Sequence, residues 1–179
     1  MEDVEHSVPD VRSFDLGPRS SWVWLTTGIT LLGVAESVAV AALVHALLPA
    51  WIGYLIDALI VVPTLGLLVA IASALGGRIT VDATHLRLRF GLLGGAQVLR
   101  ADINHVERFV PSSIRPIGLG LDVPSGSAQA TVSRGGQVPF VRVFLDRPTE
   151  VRLALWRRES ARELVMGTAA PDQLIAALA

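Results

Sequence analysis

The hydrophobic pattern begins with a long apolar stretch that one proline divides. Residues 22–48 and 50–75 are almost purely apolar, and Pro49 separates them. Each half exceeds the ~20 residues that a helix needs to cross a bilayer, and proline is disfavoured inside a helix. The pattern therefore predicts a transmembrane hairpin of two helices over 21–75, with its apex at Pro49.

From Arg78 onward, apolar and polar positions alternate instead. Residues 79–81 and 86–90 show the period of two that is typical of half-buried strands. This alternation predicts a meander of antiparallel strands in the second half of the chain. Turns are predicted at 82–84 and 94–95, the meander continues through 96–110, and later strands are predicted at 130–133, 138–146, 150–156 and 161–168.

A short helix is predicted to end the chain. Pro171 suits a first helical turn, and Asp172 complements the helix dipole. Residues 111–137 are rich in Gly, Ser and Pro and are predicted to form a long irregular connection. The predicted class is an α+β membrane protein, in which the hairpin precedes a bent antiparallel β-sheet or barrel over 78–179 that ends in a C-terminal helix.

Charge follows the same division of the chain. All fifteen basic residues are arginines, and residues 1–20 form a mainly acidic segment. The apex around Pro49 has no basic residue, whereas arginines flank the hairpin on both outer sides. The positive-inside rule then places both termini in the cytoplasm of a bacterium. Trp22 and Trp24 fit one interfacial aromatic belt.

Three features follow the apolar stretch in order. They are a strand at 79–81, a charged strand before a Gly-hydrophobic turn at 86–91, and an Ile-x-x-Val pair at 103–106. With two spans before them, they resemble small bacterial membrane proteins that carry a PH-like domain. The family often has Ile-Pro-Leu ahead of that pair, where this chain has Leu99-Arg100-Ala101. The family is mostly uncharacterised, so the resemblance implies a PH-like fold and a membrane location rather than an activity.

Three ionisable residues lie inside the predicted spans: Glu36, His45 and Asp57. Such groups are costly in hydrocarbon unless paired, protonated or hydrated, so each is a functional candidate. Counting residues from the apex makes a His45–Asp57 contact possible and leaves Glu36 without an obvious partner. One interpretation is a proton or ion path, which requires a homo-oligomer. The favoured interpretation is that the carboxyl groups are kept neutral by their surroundings or are hydrogen-bonded to another helix.

A basic cluster near the C-terminus is the other candidate for binding. It comprises Arg152, Trp156, Arg157, Arg158 and Arg162. We expect an exposed hairpin tip there, and an arginine near an anionic leaflet gains roughly 1 kcal/mol. The cluster therefore predicts contact with lipid headgroups or an acidic partner, and the alternative is a solvated loop. Arg87 and Arg89 are interpreted as the solvated face of a strand.

Other chemistry has little support in the sequence. The chain contains no cysteine, and its histidines and carboxylates show no spacing of a catalytic, cofactor-binding or metal site. We therefore predict no enzyme, no cofactor and no metal. Nucleic-acid binding is not expected because the few aromatic residues do not interleave with the arginines.

Together these features predict a binding or scaffolding module presented at the cytoplasmic leaflet of a bacterial membrane. Its expected partner is another membrane protein or anionic lipid. The alternative is an oligomeric small transporter or proton sensor that uses Glu36 and Asp57.

Overall fold

A computed structural model describes residues 11–111, 117–124, 126–135, 138–154 and 157–179. Trp156 and half of the acidic N-terminal segment lie outside the described residues. Two long helices come first: α1 spans Ser20–Leu47 and α2 spans Ala50–Ser73, and a 3₁₀ turn at Ala74–Gly76 follows α2. The bounds agree with the predicted hairpin to within about two residues.

The break between the helices follows from proline chemistry. Leu48 is extended, as a residue before proline usually is, and Pro49 precedes the first turn of α2. At 1.5 Å per residue the helices are about 42 and 36 Å long. Both are long and apolar enough to cross a membrane, and the rest of the described chain leaves their apolar windows uncovered.

The remaining elements form one bent sheet and a closing helix. In chain order they are β1 Arg12–Asp15, β2 Arg78–Val81, β3 His85–Arg89, β4 Gly94–Leu99, β5 Ile103–Phe109, β6 Gly120–Asp122, β7 Gln129–Ser133, β8 Phe140–Leu153, β9 Arg157–Gly167 and α3 Pro171–Leu178. The sheet order is β1-β2-β3-β4-β8-β9-β7-β6, and β5 pairs with β8 outside this path. The hairpin, the sheet and the C-terminal helix were all predicted.

The strand pairing differs from the predicted antiparallel meander in two places. First, β5 pairs with β8 and not with β4. Second, β7 runs parallel to β9, so the sheet is mixed. The parallel pair arises because the chain reverses twice between these strands, once into β8 and once out of it. The all-antiparallel prediction is therefore wrong for this part of the sheet.

Strand β8 explains why β4 and β5 are not neighbours. Two separate strands were predicted at 138–146 and 150–156, but one strand runs through Phe140–Leu153, with an irregular register between Phe144 and Thr149. Pro148 has no N–H for the ladder and marks this irregularity. The first half of β8 pairs with β5, and the second half pairs with β4.

Two local predictions also need correction. The predicted turn at Gly94-Gly95 lies earlier, because a 3₁₀ turn at Gly91–Leu93 reverses the chain and Gly94 begins β4. Strand β1, inside the segment predicted only as acidic, pairs antiparallel with β2, with Asp15 opposite Arg78. The outer ends of the hairpin are thus held next to each other by the sheet.

The core lies between the sheet and α3. Helix α3 turns Leu174, Ala177 and Leu178 inward. The inward positions of the strands supply most of the other buried side chains, and Leu16 and Trp22 extend the same cluster toward the helices. The hairpin therefore rests on the domain through a continuous apolar contact.

Candidate functional site

The strand register aligns four arginines in one row across the sheet. Arg78 lies opposite Arg89, and Arg152 lies opposite Arg158. Gly95 stands between Arg89 and Arg152 in the same register. All four arginines are exposed, while the residues next to them in β2, β3 and the end of β8 are buried. We call Arg78, Arg89, Arg152 and Arg158 the arginine row, which spans about 19 Å at a strand spacing of ~4.8 Å.

The row lies at the end of the sheet that adjoins the hairpin. Arg78 begins β2 directly after the turn that follows α2. Gly91 packs so closely against Ser73 that a Cβ there would collide with it, and its φ of +60° also favours glycine. The backbone N–H of Leu92 donates a 2.7 Å hydrogen bond to Ser73 Oγ. The arginines are therefore held near the last turn of α2.

A groove of about 740 Å³ opens beside the row between β3, β4 and β8. Arg87, Arg89 and Arg152 line it, and Leu92 stands exposed in its lining. Gly95 lies in the groove between Arg89 and Arg152. A Cβ at Gly95 would collide with the carbonyl oxygen of Leu88, so this position requires glycine and no side chain fills the space between the two arginines.

The charges in the groove are only partly neutralised. Arg158 Nη1 lies 3.2 Å from Glu150 Oε1, and Arg87 Nη2 lies 3.5 Å from Asp82 Oδ2. Within the described chain, no acidic side chain forms an ion pair with Arg89 or Arg152. The groove therefore keeps a positive charge centred on these two arginines.

The predicted basic cluster is divided by the structure. Arg157 to Arg162 belong to β9, and Arg157 pairs with Leu153 across the β8–β9 hairpin. Arg157 points to the opposite face from Arg158, and its Nε lies 3.0 Å from Glu159 Oε1. Arg162 lies four residues along β9 from Arg158, which is about 13 Å. Arg152 and Arg158 therefore lie on the same face of the sheet as Arg87 and Arg89. The sequence had indicated that Arg87 and Arg89 were only the solvated face of a strand.

The polar residues of the hairpin form one contact near its apex. His45 Nε2 lies 2.8 Å from Asp57 Oδ2, and the His45 ring meets the Tyr54 ring edge-on at 5.2 Å. A Cβ at Gly53 would lie 2.7 Å from His45 Cε1, so glycine makes room for the ring. We call His45, Gly53, Tyr54 and Asp57 the apex cluster.

Glu36 stands apart from this cluster. It lines a groove of about 300 Å³ between the two helices, together with Ser37 and Thr64. No side chain in the described part of the protein forms a hydrogen bond or ion pair with it. The structure therefore joins two of the three predicted hairpin residues and leaves Glu36 facing outward.

A fully buried arginine, Arg134, connects the hairpin to the domain. It forms an ion pair with Asp15, and its Nη1 and Nη2 donate to Leu75 O at 2.6 Å and to Gly17 O at 3.2 Å. Burial lowers the pKa of the guanidinium, but arginine stays charged because its ordinary value lies far above neutrality. Arg134 was not predicted as a functional residue, because no local sequence pattern marks it.

Trp22 strengthens the same connection. Its Nε1 donates a 2.8 Å hydrogen bond to Ile71 O, and its ring meets Phe90 edge-on at 5.2 Å. Trp22 is 4% exposed, so its assignment to an aromatic belt is wrong, whereas Trp24 is 76% exposed. We call Asp15, Trp22 and Arg134 the junction cluster.

Within the described residues, no group of three histidine, cysteine or carboxylate side chains lies together in a way that could hold a metal ion. Comparisons of the chain with family models, with curated proteins and with solved structures found no match.

Proposed function

We propose that the chain is an integral membrane protein whose hairpin anchors a PH-like binding module against the cytoplasmic leaflet. The observation that carries this proposal is the junction cluster. Arg134, directly after β7, donates to Leu75 O beyond the end of α2, and the Trp22 ring near the start of α1 contacts Phe90 beside β3, so a bilayer around the hairpin would meet one defined end of the domain. That end carries the arginine row.

The architecture gives partial support to the PH-like part of the proposal. A strongly bent sheet is closed by α3, which packs on β5 and β8. The parallel β7–β9 pair departs from an all-antiparallel arrangement. The proposal therefore rests on the bent sheet, the C-terminal helix and the order of the first strands.

Two kinds of partner suit this placement. Anionic lipid suits the arginine row, because arginines near a leaflet are attracted to its negative surface potential. A membrane protein partner would use a sheet edge, since β1 and β6 end the described sheet and each pairs on one side there. Unpaired strand edges readily accept another chain.

The placement can be tested with single cysteines, because the chain has none of its own. We expect Leu48→Cys at the apex to react with a membrane-impermeant maleimide in intact cells. Ala179→Cys should react only after the cells are opened, and the protein should stay in the membrane pellet at alkaline pH. Labelling of both positions in intact cells, or release into the supernatant, would overturn the proposal.

The hairpin supports one alternative, an oligomeric transporter or proton sensor. Its specific support is the outward-facing Glu36 together with the His45–Asp57 contact. Proteoliposomes that contain a pH-sensitive dye separate the two functions. If the hairpin is only an anchor, wild-type protein and the Glu36→Gln/Asp57→Asn variant give the same proton flux as empty vesicles. A flux that this variant removes would favour transport.

A further inference from the structure

The exposed arginines of the groove have a chemistry that neither the fold nor the anchor uses. We propose that Arg89 and Arg152 bind the phosphate of an anionic phospholipid headgroup in the groove above Gly95. The inference rests on the proposed function, because it requires the hairpin to lie in a bilayer. It assigns a ligand class to a site that the basic cluster predicted from the sequence only partly included.

The spacing of the two arginines suits a single anion between them. Arg89 and Arg152 stand on β3 and β8, with one strand between them, so their Cα atoms are about 10 Å apart. Both side chains are long, exposed and free of acidic partners in the described chain. Guanidinium groups bind phosphate in a bidentate, planar manner, so two of them can converge on one phosphate.

The shape of the groove leaves room for the headgroup. Gly95 contributes no side chain between the two arginines, and the groove volume of about 740 Å³ lies in the range of small-molecule sites. Glu150, the acidic residue in the lining, is already engaged with Arg158 at 3.2 Å. The Glu150 carboxylate is thus paired with Arg158 at the far end of the row. Arg89 and Arg152 therefore remain available to bind a phosphate.

The position of the groove favours a lipid over a soluble phosphate. Its lining includes Gly91 and Leu92, which lie against Ser73 in the last turn of α2. Leu92 is 49% exposed and offers an apolar side chain beside the arginines. A phosphate in the groove would therefore have an apolar side chain and a bilayer-spanning helix beside it, as a headgroup with attached acyl chains requires.

The test uses the full chain in detergent micelles and measures lipid retention by native mass spectrometry. The probes are dioleoyl phosphatidylglycerol, dioleoyl phosphatidylcholine and inorganic phosphate. We expect phosphatidylglycerol to be retained over phosphatidylcholine, and Arg89→Gln/Arg152→Gln to weaken that retention roughly tenfold. The matched control is Arg147→Gln/Arg162→Gln, which removes the same charge outside the groove and should change retention less than about twofold.

Three results would overturn the inference. They are unchanged retention in Arg89→Gln/Arg152→Gln, an equal loss in the control variant, and displacement of phosphatidylglycerol by equimolar inorganic phosphate. Both groove arginines are exposed, so the variant should keep the thermal unfolding midpoint of the wild type, which is measured in parallel. Correct labelling of Leu48→Cys and Ala179→Cys without lipid preference would refute the groove while leaving the anchor proposal intact.

Discussion

The two ends of the helical hairpin carry polar clusters of different kinds. At the apex, His45 and Asp57 join α1 to α2, and both side chains are partly exposed. At the opposite end, Arg134 directly follows β7, is completely buried and donates to Leu75 O at the end of the hairpin and to Gly17 O before α1. The first cluster holds the helices to each other, whereas the second holds them to the domain.

This difference indicates that the apex cluster acts on helix pairing alone, whereas the junction cluster attaches the domain and also joins the helices through the Trp22–Ile71 hydrogen bond. The last carbonyl groups of a helix have no partner within the helix. Leu75 O receives its donor from Arg134, and Ile71 O receives an additional donor from Trp22. A change at the apex should therefore loosen the hairpin alone, and a change at the junction should release the domain from it.

The largest effect is expected for Arg134→Ala. The substitution removes the ion pair with the half-exposed Asp15 and the hydrogen bonds to Leu75 O and Gly17 O. Two carbonyl groups then lose a charged donor, which costs about 3 kcal/mol in the free energy of unfolding. Chemical unfolding of the full chain in micelles measures the change in the free energy of unfolding. The control is Arg147→Ala, because the Arg147 side chain is 81% exposed. We expect this variant to lower the free energy of unfolding by less than about 0.5 kcal/mol. Similar losses in both variants would refute a special role for the junction.

A smaller effect is expected for Trp22→Phe, which keeps an aromatic ring but removes the indole N–H. Ile71 O then loses a buried donor, which costs about 1 to 2 kcal/mol in the free energy of unfolding. Trp24→Phe removes the same atoms from an exposed side chain and should leave the free energy of unfolding almost unchanged. Tryptophan fluorescence during unfolding measures both variants. If Trp24→Phe destabilises the protein as much, the hydrogen bond from Trp22 to Ile71 O is not what matters.

At the apex we expect Gly53→Ala to lower the free energy of unfolding by about 1 kcal/mol, because the added methyl group displaces the His45 ring from Asp57. Gly66→Ala is the matched control, since a Cβ at Gly66 meets nothing within 4 Å and alanine favours helix. Circular dichroism at 222 nm follows helix unfolding in micelles. The domain should keep its proteolytic resistance in both variants, and early cleavage of the domain in Gly53→Ala would contradict an effect of the apex on helix pairing alone.

The smallest effect is expected within the domain, at the turn between β2 and β3. Backbone hydrogen bonds from Thr84 and His85 lower the pKa of Asp82 to about 2. A lowered carboxyl pKa stabilises the fold above the pKa of the unfolded chain, and this contribution is lost as the pH falls toward 2. Asp82→Asn should therefore lower the thermal midpoint only slightly at pH 7. The difference from wild type should disappear near pH 2, and a difference that is independent of pH would contradict this account.

Local patterns allowed much of the fold to be predicted. Pro49 divides the apolar stretch into two helices, the alternation locates β2 and β3, and Pro171 begins α3. The His45–Asp57 contact could also be anticipated, because a short turn fixes how two helices face each other. These features depend on residues that are close in sequence.

The site depended on long-range pairing and was predicted only in part. The arginine row exists because β4 pairs with the second half of β8, and the bend near Pro148 that permits this pairing looked like a break between strands. Arg134 follows β7 within a Gly- and Ser-rich stretch, where nothing in the local sequence distinguishes a buried arginine from a solvated one. Register and burial of this kind are set by the assembled sheet.

The pairing of β1 with β2 has a consequence for the order of synthesis. Asp15 leaves the ribosome before α1 and α2, but its partner Arg78 follows them both. Folding during translation proceeds from the N-terminus at ~5–20 residues per second, so β1 must wait unpaired until the whole hairpin has been made. The edge of the sheet can then close only after both helices have been synthesised, so the pairing of β1 with β2 is a late step of folding.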